Sequence, residues 1–88
     1  MVKFDGNNNF GIWRCEVIDA LTALNLEDTL RLKKKRDFTS EEDWEKMNRI
    51  ACGLIRFYLT QNIKYHVLHK TSVKQLWEIL EILEWNVT

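Results

Sequence analysis

The residues best suited to bind a metal are two histidines and two cysteines. His66 and His69 are three positions apart, so on a helix they would share one face. A Cys2His2 zinc site usually takes closely spaced cysteines, whereas Cys15 and Cys52 lie far apart in the chain. We therefore expect no metal site. The histidines are interpreted as partly exposed residues near a helix end, where a partial positive charge suits the helix dipole.

Candidate catalytic groups are few. A cysteine–histidine nucleophile needs a third group that orients the histidine, and no spacing in the chain nominates one. With three glycines in all, the sequence also lacks the glycine pattern of a phosphate-binding or dinucleotide-binding loop. The sequence predicts a protein that is not an enzyme, with no cofactor and no small-molecule substrate.

One run of basic residues offers contacts to phosphate: Lys33, Lys34, Lys35 and Arg36. Aromatic residues that would stack on bases are not interleaved with this run. The formal net charge of the chain is zero, which argues against nucleic-acid binding as the main activity. We interpret the run as a solvated loop before a helix, and RNA binding through it stays as a weaker alternative.

The composition indicates one helical domain spanning residues 1–88. The chain has 88 residues, no proline and three glycines, which favours long helices over short strands. Hydrophobic residues make up 45% and charged residues 30%, a globular balance. Two cysteines do not make a disulfide scaffold, and no apolar run resembles a signal peptide or a membrane span. We expect a reduced, cytoplasmic protein without membrane contact.

Apolar residues at helical spacing predict three main helices. The first follows a cap at Asn8 or Asn9 and ends around Asn25. The second follows Thr39, which with Glu42 forms a capping box. The third runs from Val73 to about Glu84. Two shorter pieces are predicted, an irregular or single-turn piece among the leucines at 26–32 and a helix over 61–69. The expected fold is an all-α bundle of four to five helices with a short extended N-terminal lead-in.

The last predicted helix is apolar over more of its surface than one core contact requires. Its apolar arc covers roughly 200°, against the ~100° of a helix that faces a core on one side. In a domain this small, we expect the second side to contact another chain. The predicted interface combines residues that lie off the inner stripes of their helices: Ile50, Phe57, Ile79, Ile82 and Trp85.

Three tryptophans, Trp13, Trp44 and Trp77, each fall on the inner stripe of a different helix and are predicted to share a core cluster. Trp85 follows the last regular turn, and two interpretations stay open for it. It either joins the exposed apolar patch or folds back over the core of its own domain.

Four motifs in order carry a resemblance to a known family. The first motif is Lys3-Phe4-Asp5-Gly6, and after three intervening residues comes Phe10-x-x-Trp13. Next come Glu42-Asp43-Trp44, then Ala51 with Ile55-Arg56 and Leu59, and finally Lys70-Thr71-Ser72 with Leu76-Trp77-x-x-Leu80. Together they resemble the start of the Gag polyprotein of copia-type LTR retrotransposons, particularly plant elements, from Lys3 to about Glu84.

The resemblance implies a domain similar to the N-terminal lobe of a Gag capsid, which assembles by protein–protein contacts into particles around RNA. Its signature residues would be structural and would map to core positions: Phe4, Gly6, Phe10, Trp13, Trp44, Ile55, Trp77 and Leu80. No catalytic residue is carried over. We therefore expect self-association, at least to a dimer, or association with another Gag-like protein.

The chain departs from the family pattern at its C-terminal end. Family members continue into further helices and a CCHC zinc knuckle, and a tyrosine is expected where Ile82-Leu83-Glu84-Trp85 stands. The chain is thus expected to be either the N-terminal lobe of such a protein or a short protein derived from such an element. The alternative function is that of a domesticated host regulatory or defence protein, which would bind intact Gag or a viral or pathogen protein.

Overall fold

The described part of the chain contains five α-helices joined by short connections. The computed structural model describes residues 3–5, 10–32 and 34–85, and of Trp85 the backbone alone. Within those ranges the chain contains no strand beyond one isolated bridge between two residues. The prediction of an all-α bundle of four to five helices with a short extended lead-in is confirmed. In chain order the helices are α1 (Phe10–Ala23), α2 (Asp28–Arg31), α3 (Glu41–Phe57), α4 (Gln61–His66) and α5 (Val73–Trp85).

Helix α1 ends in a left-handed turn at the predicted residue. Asn25 has a φ of 60°, a conformation that asparagine tolerates better than most residues. Its N–H donates to the carbonyl oxygen of Thr22 at 3.0 Å, and the N–H of Leu26 donates to that of Leu21 at 2.8 Å. These two bonds form a Schellman cap, with its apolar contact supplied by buried Leu21 and Leu26. The caps predicted at Asn8 or Asn9 lie outside the described residues.

Helix α2 is the single turn predicted among the leucines. Leu26 is buried before it, and Leu30 packs against the core from within it. The hydroxyl of buried Thr29 donates to the carbonyl oxygen of Leu26 at 2.6 Å, so this polar group has a partner inside the domain.

Helix α3 is capped by Ser40, one residue later than predicted. The N–H of Asp43 donates to Oγ of Ser40 at 3.0 Å. Thr39 was an equally good candidate, because each of the two hydroxyl residues has an acid three positions later.

The connection from α3 to α4 receives the N-terminal lead-in. The N–H of Phe4 donates to the carbonyl oxygen of Tyr58 at 3.0 Å, and the N–H of Thr60 donates to that of Phe4 at 3.1 Å. Phe4 is thereby paired in parallel with Leu59. Helix α4 begins after Thr60 as predicted, but ends at His66 rather than His69.

Two side chains of α3 hold the loop that leads into α5. Asn48 is buried, and its Oδ1 accepts the N–H of Val73, the first residue of α5, at 2.9 Å. Its Nδ2 donates to the carbonyl oxygen of Trp44 at 3.1 Å. Nη1 of Arg56 donates to the carbonyl oxygen of Lys70 at 2.8 Å. The register of α5 on α3 is therefore fixed by hydrogen bonds as well as by apolar packing.

Candidate interaction surface

The core contains an aromatic cluster built from the lead-in, α1 and α5. The rings of Phe4 and Trp13 lie 5.4 Å apart between centroids, and Phe10 contacts both at 5.0 and 5.8 Å. Trp77 stacks on Trp13 at 5.7 Å with an interplanar angle of 20°. Pairs at these separations add to the stabilisation that burial alone supplies. The cluster packs the lead-in, α1 and α5 together, so the outer faces of these helices remain at the surface.

The structure places most of the signature residues in the core. Five of them are buried: Phe4, Trp13, Ile55, Trp77 and Leu80. Phe10 is partly buried and packs against that core. Gly6 lies outside the described residues.

The prediction for Trp44 is wrong, because this residue is only partly buried and does not belong to the buried core or to the side chains packed on it. It lies one turn before Asn48 and lines a surface cleft with Thr71 and Ser72, which precede α5. Trp13, Trp44 and Trp77 therefore do not form one cluster, and only the first and last are in contact.

The predicted interface residues divide into two groups. Ile50 and Phe57 on α3 are 47% and 65% exposed, and Ile82 on α5 is 58% exposed. Ile79 differs from the expectation, since it is partly buried and packs against the core of its own domain. For Trp85, the side chain lies outside the described atoms. Among the interface residues whose side chains are described, three are large, apolar and exposed.

Helix α3 presents one exposed stripe along most of its length, which we call the α3 stripe: Lys46, Ile50, Gly53 and Phe57. Steps of four, three and four residues keep these positions on one helix face. A methyl group added at Gly53 would have no described heavy atom within 4 Å, so the middle of the stripe is open. At its C-terminal end, Nζ of Lys3 lies 5.8 Å from the ring centroid of Phe57.

Other exposed apolar residues did not enter the predicted interface. Phe38 is 86% exposed and Tyr65 is 79% exposed. Ile12, Leu24 and Leu68 are also largely exposed. The exposure of Ile12 was predictable from the sequence, because this residue lies off the apolar stripe of α1. The exposure of Phe38 was not, because this residue lies in a loop without periodicity, where burial depends on tertiary contacts.

The basic run is engaged with acidic neighbours. Nε and Nη2 of Arg36 donate to the two carboxylate oxygens of Asp28 at 2.8 and 3.2 Å. This hydrogen-bonded guanidinium lowers the pKa of the Asp28 carboxyl below its usual value. Lys34 and Lys35 line a shallow cleft, and Lys33 lies outside the described residues.

That cleft contains an aromatic residue that the sequence did not place there. Trp44 lies beside Lys34 and Lys35, so a stacking surface does accompany the basic run. Asp37 and Glu41 line the same cleft and balance the two lysines. A nucleic-acid backbone would meet as many negative as positive side chains here, which disfavours binding.

The histidines and cysteines are not brought together. His66 and His69 are exposed, Cys15 is exposed on α1, and Cys52 is buried in α3. Burial raises the pKa of the Cys52 thiol, an effect that nearby Arg56 partly opposes. In the described part of the chain, no group of three or more metal-binding side chains is close enough to hold an ion.

A groove of about 570 Å³ runs between α1, α2 and α5. Its floor is apolar, with Ile18, Leu30 and Trp77, and its walls carry charges of both signs. The groove does not converge on a set of polar groups that would select one small ligand. In the same described ranges, no helix has the length and apolarity required to cross a bilayer.

The fold and surface define a small all-α domain with an aromatic core and several exposed apolar side chains. Comparison with known proteins gives the chain a relative, the retrovirus-related Pol polyprotein from transposon TNT 1-94 of Nicotiana tabacum. The two are 28% identical over 89 aligned residues, covering 100% of this chain and 7% of the polyprotein. The match lies in the N-terminal region of the polyprotein and supports a retrotransposon-derived protein. No family profile matches the chain, and no solved structure matches it significantly.

Proposed function

We propose that the chain is a non-enzymatic interaction module that associates with copies of itself, as the capsid region of a copia-type retrotransposon Gag does. The observation that carries the proposal is the exposure of Ile50, Phe57 and Ile82 on helices whose inner faces are already packed. When a partner removes large apolar side chains from water, the free energy of the system falls, and this favours association.

The similarity to the retrotransposon polyprotein supports the same function. It covers the whole of this chain and the N-terminal region of the relative. The motifs quoted above resemble those at the start of a copia-type Gag, and the match lies in the same N-terminal region. A cytoplasmic protein that assembles with itself or with another Gag-like protein fits both the origin and the exposed surface.

RNA binding is a weaker candidate for the main activity. Arg36 is paired with Asp28, and Lys34 and Lys35 share their cleft with Asp37 and Glu41. With zero net charge over the chain, there is little attraction to phosphate at a distance.

The experiment is light scattering on the purified chain over a concentration series. We expect a mass that rises with concentration, and a reduced rise in the variants I50K and I82K. The matched control is I12K, which places the same charge at an isoleucine 67% exposed on α1, outside the proposed surface. A mass that stays at that of one chain at every concentration would overturn self-association and favour a heterologous partner, such as intact Gag or a pathogen protein.

A further inference from the structure

We propose that the occupant of the α3 stripe is the α3 stripe of a second copy, lying antiparallel to it across a two-fold axis near Ile50. This inference deepens the proposed function and rests on it. The pair has defined facing residues, an antiparallel orientation and a low affinity.

The order of charges along α3 makes its surface complementary to itself in one direction only. Four acids occupy the first five positions of the helix: Glu41, Glu42, Asp43 and Glu45. The bases follow after them, at Lys46, Arg49 and Arg56, and Lys3 adds a cation beside Phe57 at the far end. An antiparallel copy places the acidic end of each helix beside the basic end of the other, whereas a parallel copy places like charges together.

The same order of charges also suits the helix dipole, which favours acids at the N-terminus and bases at the C-terminus. The dipole does not explain the apolar positions between the charges. Ile50 and Phe57 are uncharged, so the dipole does not account for their exposure, and Gly53 lies between them with open space above it. Charge order and apolar spacing together indicate a helix as the partner.

The spacing of the stripe gives the contacts of the antiparallel pair. In such a pair, residues equally far from the axis on opposite sides face each other. Asp43 precedes Ile50 by as many residues as Phe57 follows it, so Asp43 faces Phe57 of the second copy and the Lys3 beside that ring. Lys46, four residues before Ile50, comes beside Gly53 of the second copy, three residues after it, where the missing side chain leaves room for the lysine stem. Ile50 meets Ile50 at the axis.

The size of the contact sets its strength. Seventeen residues give α3 a length of about 25 Å, and a helix presents a strip ~10 Å wide. That footprint is well below the ~800 Å² per partner of a standard stable interface. The pair is therefore a weak contact, which becomes effective where many copies are held close together.

Disulfide trapping tests the direction of the pair. Single cysteines are introduced as I50C, K46C and F57C in a C15S background, leaving Cys52 buried. Only I50C lies on the two-fold axis, so we expect it to form the symmetric disulfide about tenfold faster than K46C or F57C. Equal rates for all three variants would indicate a parallel pair and overturn the inference.

Charge exchange tests the complementarity. The E42K/D43K variant reverses two of the four acidic charges at the start of α3, and the K3E variant reverses the charge beside Phe57 at the other end. We expect each variant alone to associate about tenfold more weakly than the parent chain, and an equimolar mixture to regain that loss. Arg56 is left unchanged because its guanidinium supports the loop before α5. A mixture no stronger than its components would overturn the inference.

A fourth variant, I82C, separates this inference from the proposed function. If the chain self-associates and I82C is trapped while I50C is not, the association uses α5. The antiparallel α3 pair is then wrong, and self-association stands. If no variant is trapped and the mass stays at that of one chain at every concentration, both proposals fail.

Discussion

Nε1 of Trp13 donates a 2.8 Å hydrogen bond to the carbonyl oxygen of Tyr58, the C-cap residue directly after α3. The same oxygen accepts the N–H of Phe4 at 3.0 Å. One carbonyl group thus joins the lead-in, α1 and the end of α3, and it is backed by the rings of Phe4 and Trp13. Phe4 of the first motif and Trp13 of the Phe-x-x-Trp motif are therefore parts of one structural unit.

The variant W13F tests that unit. It retains an aromatic ring but removes the donor to Tyr58 and part of the ring volume, so we expect the free energy of unfolding to fall by about 1–3 kcal/mol. Urea denaturation measures the change. The matched control is W44F, at a partly buried position outside the core, which should cost less than about 1 kcal/mol. A larger loss in W44F than in W13F would contradict the assignment of the core.

Asn48 should be as important for stability as a core residue, although it is polar. The variant N48A leaves the N–H of Val73 buried without its acceptor, so we expect a loss of about 1–3 kcal/mol in unfolding free energy. The control is N62A, since Asn62 is exposed and accepts a local hydrogen bond from the hydroxyl of Thr60. Equal effects in the two variants would show that α5 is not positioned by Asn48.

Gly53 should be replaceable by alanine with a gain in stability. It lies inside α3 with no described atom near its missing side chain, and glycine is unfavourable there by about 0.5–1 kcal/mol relative to alanine. Thermal unfolding of G53A at low protein concentration should show the gain. A loss of stability would mean that the glycine is needed within the monomer.

The two thiols should differ in reactivity. Cys15 is exposed and should react rapidly with a thiol reagent, while Cys52 is buried and its pKa is raised by burial, so that less thiolate is available. We expect one fast and one slow phase in the native protein, and only the slow phase in C15S. If both cysteines reacted rapidly in the native protein, α3 would not be packed as described.

The Asp28–Arg36 pair should be visible in the titration of the Asp28 carboxyl. Arg36 lowers the pKa of Asp28, so the pair contributes stability above the unfolded value of ~3.9 and loses it as the pH falls through the lower folded value. Carboxyl NMR shifts should give a depressed pKa that rises toward normal in R36Q and stays depressed in K34Q. The contribution to stability should be small and reduced by salt, because both groups are at the surface.

The sequence was sufficient to predict four to five helices and several of their ends, because periodicity, caps and turn residues act locally. Asn25 illustrates this, since its left-handed conformation follows from residue type and position alone. The contacts of Asn48 and Trp44 were not predictable in this way. Both depend on where α5 begins over α3, and the bond from Asn48 reaches a residue in another helix.

The candidate surface was only partly predictable for the same reason. Periodicity identified Ile79 and Ile82 as parts of one wide apolar arc, but could not show how much of that arc the domain covers itself. The structure packs Ile79 against the core and leaves Ile82 exposed. The charge order along α3 is readable in the sequence, and its meaning depends on knowing that Ile50 and Phe57 are exposed.

The pairing of Phe4 with Leu59 joins two segments of the chain that are synthesised at different times. Phe4 and Trp13 leave the ribosome before their partners Tyr58 and Trp77. Until those partners emerge, the early aromatic side chains can pack only on neighbours such as Phe10, and contacts that distant in sequence close slowly. We therefore expect the nascent chain to pass through a stage in which the lead-in and α1 are free to bind a chaperone or a neighbouring nascent chain.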